Sequence, residues 1–238
     1  MMDNVLLLGF LVGMGHALEA DHLAAVGALS THGSVRRHMA LRGFAWGLGH
    51  TLTLFAICTA VIVFAVALTP ERAAALEFAV GAMLILLAAG VLWRLWRTRI
   101  HFHVHSHDDG RRHIHAHSHR IAEIPHSRDR HAHIHAHFPL SALLVGLVHG
   151  AAGSAGLLAL AVSTVNDPYV ALSYILIFGL GSMVGMATLT TVAAWPLGAM
   201  ERGAGWLHSG TMMAVAAVAA WLGFSTLTQT WALAAGAF

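Results

Sequence analysis

Residues 5–26, VLLLGFLVGMGHALEADHLAAV, decide the fold of this chain. The stretch is long and apolar, yet it holds four ionisable side chains within seven residues: His16, Glu19, Asp21 and His22. A charged side chain at the centre of a bilayer costs at least about 2.5 kcal/mol, so such residues are rare there and mark ion, proton or substrate sites. Imidazole and carboxylate together indicate a site for a divalent transition metal.

The composition of the whole chain is that of an integral membrane protein. Of its 238 residues, 57% are hydrophobic and only 10% are charged, whereas soluble domains average about 25% charged residues. Six apolar stretches are each long enough to cross about 30 Å of hydrocarbon as a helix: residues 5–29, 44–68, 73–93, 138–165, 169–200 and 211–238. We therefore predict an all-α membrane protein with six transmembrane helices.

The first stretch is predicted to remain in the protein as a helix. Asp3 stands where a secretory signal peptide has basic residues, and the stretch also carries the ionisable cluster. Cys58 is the only cysteine, so the chain forms no internal disulfide.

The distribution of basic residues predicts the orientation in the membrane. All thirteen are arginines, and the loops after the first, third and fifth stretches hold every one except Arg72. By the positive-inside rule, both termini face outward and the long loop of residues 100–137 is cytoplasmic. This describes a multi-pass protein of the cell (inner) membrane, with the lipid bilayer as a partner. The basic loops also account for the sequence pI, so we do not infer nucleic-acid binding from it.

An internal repeat divides the chain into two halves. Four residues of the first stretch recur 133 residues later in the fourth, where Leu11, Val12, Gly13 and His16 become Leu144, Val145, Gly146 and His149. Residues 47–50, GLGH, likewise recur 132 residues later as residues 179–182, GLGS. Halves with three spans each must be inverted, as in many secondary transporters, whose sites lie near the midplane. We predict repeats over residues 1–99 and 138–238, joined by a loop over residues 100–137.

Pairs of glycines four residues apart predict where helices pack. They occur in the first, second, fourth and fifth stretches, as Gly9/Gly13, Gly43/Gly47, Gly146/Gly150 and Gly181/Gly185. Small residues let helix backbones approach closely in lipid. We therefore expect these four helices to form the packed centre.

The segment between the halves holds thirteen of the twenty histidines. Twelve of them form three tracts of alternating histidine: His101, His103, His105, His107, His113, His115, His117, His119, His131, His133, His135 and His137. Such segments bind metal and have too little apolar content to form a core. We expect a mobile accessory loop that collects metal; a solvated linker and a histidine pH sensor are the alternatives.

The geometry of an unbroken helix suggests how the first cluster binds metal. Each residue turns by about 100°, so His16, Glu19 and His22 share one face about 120° wide. Two imidazoles and a carboxylate there form a partial metal site. Asp21 points away from this face and would orient an imidazole on a neighbouring helix. If the helix is instead unwound at Gly15, these faces no longer hold and Asp21 acts together with His22.

Two further histidines lie inside apolar stretches. His50 is about one third of the way along the second, and His149 is the counterpart of His16 in the second half. Imidazole suits nickel, copper, zinc and iron, whereas calcium and magnesium prefer oxygen ligands. The candidate metal ligands are therefore His16, Glu19, Asp21, His22, His50 and His149.

The second half contributes fewer charges to the predicted site. Ala152 stands at the counterpart of Glu19, and Ser154 at the counterpart of Asp21. We expect an asymmetric site centred on the first two spans. The second half is predicted to line it with Ser154, Ser182, Met183 and Met186.

These motifs resemble those of nickel/cobalt transporters. Residues 16–23, HALEADHL, resemble their His-x4-Asp-His signature, and residues 47–51, GLGHT, resemble their second-helix motif. Residues 146–154, GLVHGAAGS, and 178–186, FGLGSMVGM, are more similar to the shorter urease-accessory-type nickel permeases. The likeness covers the first, second, fourth and fifth stretches.

The resemblance implies transport of Ni²⁺ or Co²⁺ as substrate, with no catalytic cofactor. It assigns metal selection and passage to His16, Asp21, His22 and His50, and cytoplasmic metallochaperones are possible partners. The eight-span members have an additional leading helix and an arginine before the first histidine, where this chain has Gly15. Their fourth-span motif also carries acidic residues that residues 150–154 lack.

The leading hypothesis is a secondary transporter, either for uptake or for efflux, and not an enzyme. The chain has no lysine and no Gly-x4-Gly-Lys-Ser/Thr motif, so it is not itself a P-loop ATPase. The alternative is a membrane-embedded metalloenzyme with a histidine-bound zinc, in which Glu19 would serve as general base. No His-Glu-x-x-His motif supports it. A sensor or storage scaffold anchored by the spans is a third option, against which the repeat-related polar residues argue.

Overall fold

The computed structural model describes residues 2–29, 36–97, 100–106, 112–118, 139–151, 167–203 and 205–237. Within these residues the chain forms seven α-helices and one two-stranded hairpin. In order they are α1 (Met2–His16), α2 (Ala20–Leu29), α3 (Arg36–Phe64), α4 (Pro70–Arg97), β1 (Ile100–Ser106), β2 (Arg112–Ser118), α5 (Leu140–His149), α6 (Pro168–Gly203) and α7 (Gly205–Ala234), with a 3-10 turn at Ala235–Ala237.

Four of the described helices are long and apolar enough to cross a bilayer. They contain the segments His38–Phe64, Pro70–Arg97, Pro168–Leu197 and Trp206–Ala234. Large apolar side chains on their outer surfaces are exposed, among them Leu86, Trp96 and Trp195, and an apolar surface of this kind suits lipid. The second, third, fifth and sixth predicted spans are therefore confirmed as long apolar helices.

The first and fourth predicted spans differ from these four. The first, residues 5–29, is divided into α1 and α2. The fourth, residues 138–165, is described only as far as Ala151 and contains helix α5. Residues 152–166 lie outside the described residues. Helices α1 and α5 have 15 and 10 residues, fewer than the roughly 20 that cross the hydrocarbon alone.

The division of the first stretch corrects the prediction of an unbroken helix. The helix stops at residues 17–19, Ala-Leu-Glu, which all favour helix, so local propensity is not the cause. Instead, α1 packs along α6, whereas α2 packs against α4 and α7. In the turn, Leu18 N–H donates to the Gly15 carbonyl at 2.9 Å and Glu19 N–H to the His16 carbonyl at 3.1 Å. These bonds satisfy backbone groups that would be costly in hydrocarbon.

Helices α1 and α6 run parallel and in close contact. Gly9 lies against the ring of Tyr174, and a Cβ atom added to Gly13 would overlap the carbonyl of Phe178. Because both residue numbers rise together along the contact, the two helices point the same way.

Helices α3 and α5 form a second parallel contact. Gly146 lies against the backbone carbonyl of Trp46, and Gly150 lies against the carbonyl of His50. Both glycines are needed because a side chain there would collide with backbone rather than with a flexible side chain.

Helices α3 and α6 run antiparallel. Gly43 faces Ala187, whereas Gly47, one turn later, faces the earlier residue Met183. Each glycine of the four predicted pairs lies against one of these neighbouring helices. The predicted packing of the centre through glycine is therefore confirmed.

Helices α4 and α7 also run antiparallel. Gly81 of α4 faces Leu227, and Gly223 of α7 faces Ile85. Because α1 is parallel to α6, α6 antiparallel to α3, and α3 parallel to α5, helix α1 is antiparallel to α5. Helices α1, α3 and α4 are thus each antiparallel to α5, α6 and α7, respectively.

The glycine contact at α1 predicts opposite effects for two single-methyl additions. We expect Gly13→Ala to destabilise the protein by about 1–3 kcal/mol, because the methyl overpacks against Phe178. Gly15→Ala, in the same helix with nothing within 4 Å of an added Cβ, should instead gain up to about 1 kcal/mol from helix propensity. Thermal unfolding in detergent measures both, at roughly 2–4 °C per kcal/mol for this size. Equal shifts in the two variants would contradict the contact.

The two strands depart from the all-α prediction. β1 and β2 pair antiparallel, with His101 opposite His117, His103 opposite His115 and His105 opposite His113. A loop without regular structure was expected because the segment has little apolar content. A hairpin can form nonetheless, since its backbone hydrogen bonds do not require a core and the alternating sequence matches the two-residue period of a strand.

Candidate metal centre

The turn between α1 and α2 carries the ionisable cluster to the interior of the helix bundle. His16 is the last residue of α1, whereas Asp21 and His22 belong to the first turn of α2. The side chain of His22 is buried, with an exposed fraction of 1%, whereas the exposed fraction of the Asp21 side chain is 32%. The break therefore places one histidine on each side of it.

Two further helices each supply a buried histidine. His50 lies halfway along the 29-residue α3, which begins at Arg36 rather than at the predicted residue 44. His149 is the last residue of α5 and, like His50, is 1% exposed. The close contacts of Gly146 and Gly150 with α3 hold His149 at the level of His50. Four histidines from four helices therefore converge.

The imidazole rings of these histidines are in mutual contact. The centroid of His22 lies 4.5 Å from that of His16, 5.4 Å from His50 and 4.2 Å from His149. His50 lies 5.2 Å from His16 and 6.0 Å from His149. His22 is therefore the central ring of the group.

Asp21 joins two of the imidazoles through hydrogen bonds. Nδ1 of His22 donates to Oδ1 of Asp21 at 3.0 Å, and Nε2 of His149 donates to Oδ2 of Asp21 at 2.9 Å. The backbone N–H of His22 also donates to Oδ1, at 2.9 Å. A carboxylate that accepts one N–H of an imidazole fixes its tautomer, so that the other nitrogen keeps a lone pair for a metal.

Four ring nitrogens of the cluster have no hydrogen-bond partner among the described residues. They are Nε2 of His22, Nδ1 of His149 and both ring nitrogens of His50. Buried polar atoms are nearly always paired in folded proteins. A metal ion is a partner that uses such lone pairs.

In the part of the chain that the structure describes, two groups of side chains are close enough together to hold an ion. Each group has one possible ligand atom per residue, with all of those atoms within 4.8 Å of one another. One consists of His16, His22 and His50, and the other of Asp21, His22 and His149. His22 belongs to both groups, and five of the six predicted ligands are included.

Glu19 is the predicted ligand that lies outside both groups. Its side chain is 58% exposed, and it accepts a hydrogen bond from Nδ1 of His16 at 2.7 Å. The predicted face of His16, Glu19 and His22 required one continuous helix, and the turn at residues 17–19 removes it. Asp21 instead bonds to an imidazole of another helix, as the sequence suggested.

The residues predicted to line the site from the second half have other contacts. Ser182 is buried and donates to the backbone carbonyl of Gly13 at 3.1 Å. Met186 packs in an apolar cluster with Trp46, and Met183 packs against Gly47. Ser154 lies outside the described residues.

Two aromatic residues outside the predicted ligand set form walls of the cluster. Trp46 lies 5.4 Å from the ring of His22 and 5.7 Å from that of His149. Phe178 lies 5.4 Å from the ring of His16. The signal was present, since residues 46 and 178 are related by the same offset of 132 that relates the GLG motifs.

The loop histidines are only partly described. Those at residues 101, 103, 105, 113, 115 and 117 lie in the paired strands. Those at residues 107, 119, 131, 133, 135 and 137 lie outside the described residues.

Comparison with known proteins identifies the family. The family model described as "High-affinity nickel-transport protein" matches residues 4–219. The chain belongs to the NicO family. It is also similar to the urease accessory protein UreH of Bacillus sp. (strain TB-90), with 33% identity over 194 residues, which cover 81% of this chain and 77% of UreH. No solved structure matches the chain.

Membership of NicO confirms the resemblance seen in the motifs. It supports nickel transport as the general function and, with the long apolar helices, a membrane permease with transmembrane helices. NicO proteins are transporters rather than enzymes. The alternative of a zinc metalloenzyme is therefore not favoured.

Proposed function

We propose that this NicO protein is a secondary transporter that carries Ni²⁺ through the buried cluster of His16, Asp21, His22, His50 and His149. The observation that carries the proposal is the set of unpaired imidazole nitrogens of His22, His50 and His149, which helices α2, α3 and α5 bring together. Co²⁺, which prefers the same nitrogen ligands, is the second substrate. Binding needs neutral imidazole, so metal capture releases protons from any protonated ligand.

The same proposal assigns the cluster to the midplane of an inverted repeat. Two observations support it. Helices α1, α3 and α4 of the first half are antiparallel to α5, α6 and α7, and contacts recur with the halves exchanged: Gly13 with Phe178 matches Gly146 with Trp46. His50 is also halfway along α3. Sites between inverted repeats are accessible from each side in turn when one repeat rocks against the other.

The proposed orientation has both termini outside and residues 100–137 in the cytoplasm. The helix directions support it, because they bring the beginning of α3 and the ends of α4 and α6 to one side of the bundle. Those are the regions that carry arginine: Arg36, Arg37, Arg42, Arg94, Arg97 and Arg202. Arg72 lies at the beginning of α4, on the other side.

Flux of ⁶³Ni²⁺ in proteoliposomes tests the proposed function. The purified full chain should give saturable nickel flux above that of protein-free liposomes, with competition by Co²⁺ and none by Mg²⁺. Loading the label inside in one series and outside in another compares efflux with uptake. Absence of nickel and cobalt flux in both series would refute the proposal.

We further propose that the His-rich segment collects metal for the transporter. Register supports this, because three pairs of histidines lie directly opposite one another in the hairpin. A variant lacking residues 101–137 should keep the flux rate at saturating nickel and lose rate severalfold at limiting nickel. Replacing the twelve tract histidines by glutamine, which preserves length, should have the same effect. Complete loss of flux at saturating nickel would contradict an accessory role.

A further inference from the structure

A cavity of about 370 Å³ opens between α2, α4 and α7. Polar side chains on its walls are Glu19, Asp21, Glu77, Thr226, Gln229 and Thr230. Glu77 comes early in α4, and residues 226–230 come late in the antiparallel α7. The cavity therefore lies toward the side where α4 begins and α7 ends, which is opposite the arginine-rich side.

The cavity collects the acidic residues of the apolar stretches. Of the eleven acidic residues in the chain, Glu19, Asp21 and Glu77 lie within apolar stretches, and all three line this cavity. The remaining eight lie at the ends of apolar stretches or in the segment of residues 100–137. Glu77 belongs to no motif, yet an ionisable residue inside a transmembrane helix indicates function by default.

Asp21 connects the cavity with the buried histidines. It lines the cavity, and the same carboxylate accepts hydrogen bonds from His22 and His149, which are 1% exposed. His22 is in turn shared with the group of His16 and His50. A continuous series of possible ligands therefore runs from the cavity to the centre of the bundle.

We propose that this cavity is the aqueous vestibule through which hydrated Ni²⁺ passes between the outer side and Asp21, and that Glu77 is a residue of this pathway. The proposal rests on the proposed nickel transport. Carboxylate and amide oxygens suit a cation that still holds its water, whereas imidazole nitrogens bind the dehydrated ion more tightly. A cleft with one sign of charge and low-dielectric walls also raises the local concentration of the opposite ion.

A pair of isosteric substitutions in α4 tests the role of Glu77. For Glu77→Gln we expect the KM for nickel to rise about fivefold to tenfold while kcat stays unchanged. The lost carboxylate charge attracts the divalent ion across water, so its removal weakens capture. Glu71→Gln removes the same charge six residues earlier, outside the cavity lining, and should stay within twofold. Glu77→Asp should also remain within twofold. High ionic strength should reduce the difference between Glu77→Gln and wild type.

Equal KM values for Glu77→Gln and Glu71→Gln, with normal wild-type flux, would refute the proposal that the cavity is a vestibule. The transport proposal would remain intact. Absence of wild-type flux would instead refute the proposed function.

Labelling supplies a second test that does not depend on transport. Thr226→Cys in a Cys58→Ser background should react with a membrane-impermeant thiol reagent added to intact cells. Reaction only after permeabilisation would contradict the outward opening.

Discussion

Replacement of His22 by alanine is expected to abolish nickel flux. His22 is the residue common to both groups of possible ligands, and its ring contacts those of His16, His50 and His149. Removing the His22 imidazole leaves each group with only two possible ligands. We expect a loss of at least about a hundredfold in kcat/KM, beyond the tenfold to hundredfold typical of residues that only orient a ligand.

Three further histidine variants make this prediction specific. His16→Ala and His50→Ala each remove a residue from one group and leave Asp21, His22 and His149 together, so they should bind one Ni²⁺ but transport it slowly. His208→Ala removes a buried imidazole of α7 that lies outside both groups, and its flux should stay near that of wild type.

Binding and flux need to be measured on the same preparations of these variants. Equilibrium dialysis with ⁶³Ni²⁺ gives the binding, and elution from size exclusion confirms that each variant is folded. A folded His22→Ala protein with more than a tenth of wild-type flux would contradict the shared role of His22.

Much of this arrangement follows from the sequence because the deciding signals are local. A long apolar helix is recognisable from its own residues, which is why four spans were predicted correctly. Glycines four residues apart mark a helix face that accepts another backbone. Histidines such as His50 and His149 are conspicuous because an ionisable side chain is rare in an apolar stretch.

The break after His16 has no such local signal, and the sequence left both a continuous helix and one unwound at Gly15 open. Residues 17–19 favour helix, and the break reflects which neighbours α1 and α2 pack against, information that no local window contains. The assumption of an unbroken helix placed Glu19 with the histidines, whereas the alternative of a helix unwound at Gly15 placed Asp21 together with His22, and these two residues are hydrogen-bonded in the structure. Glu77 was missed for a related reason, since only the assembled helices bring it to the cavity.

Asp21→Asn is expected to reduce nickel flux by tenfold to a hundredfold while the fold is retained. Both Nδ1 of His22 and Nε2 of His149 donate to the Asp21 carboxylate. An asparagine of the same shape has only one acceptor oxygen, and its NH₂ group faces the second imidazole as a competing donor. One ring must then change tautomer or rotate, which removes a metal-binding lone pair. The substitution also removes a negative charge beside the proposed path of the cation.

Glu19→Gln is the matched control, because it is the same isosteric change two residues earlier. Glu19 is exposed and contacts one histidine, His16, and a single exposed pair of this kind is worth little. Because Glu19 also lines the proposed vestibule, we expect flux at limiting nickel to fall by no more than about tenfold, as for Glu77→Gln, and flux at saturating nickel to stay near that of wild type. The two variants are compared by ⁶³Ni²⁺ flux, with binding measured in parallel. The comparison decides whether nickel transport depends on Glu19, as an unbroken helix would favour, or on Asp21, as the turn favours. A larger loss for Glu19→Gln than for Asp21→Asn would mean that the metal binds on the exposed side of the turn, and the buried groups centred on His22 would then not be the transport site.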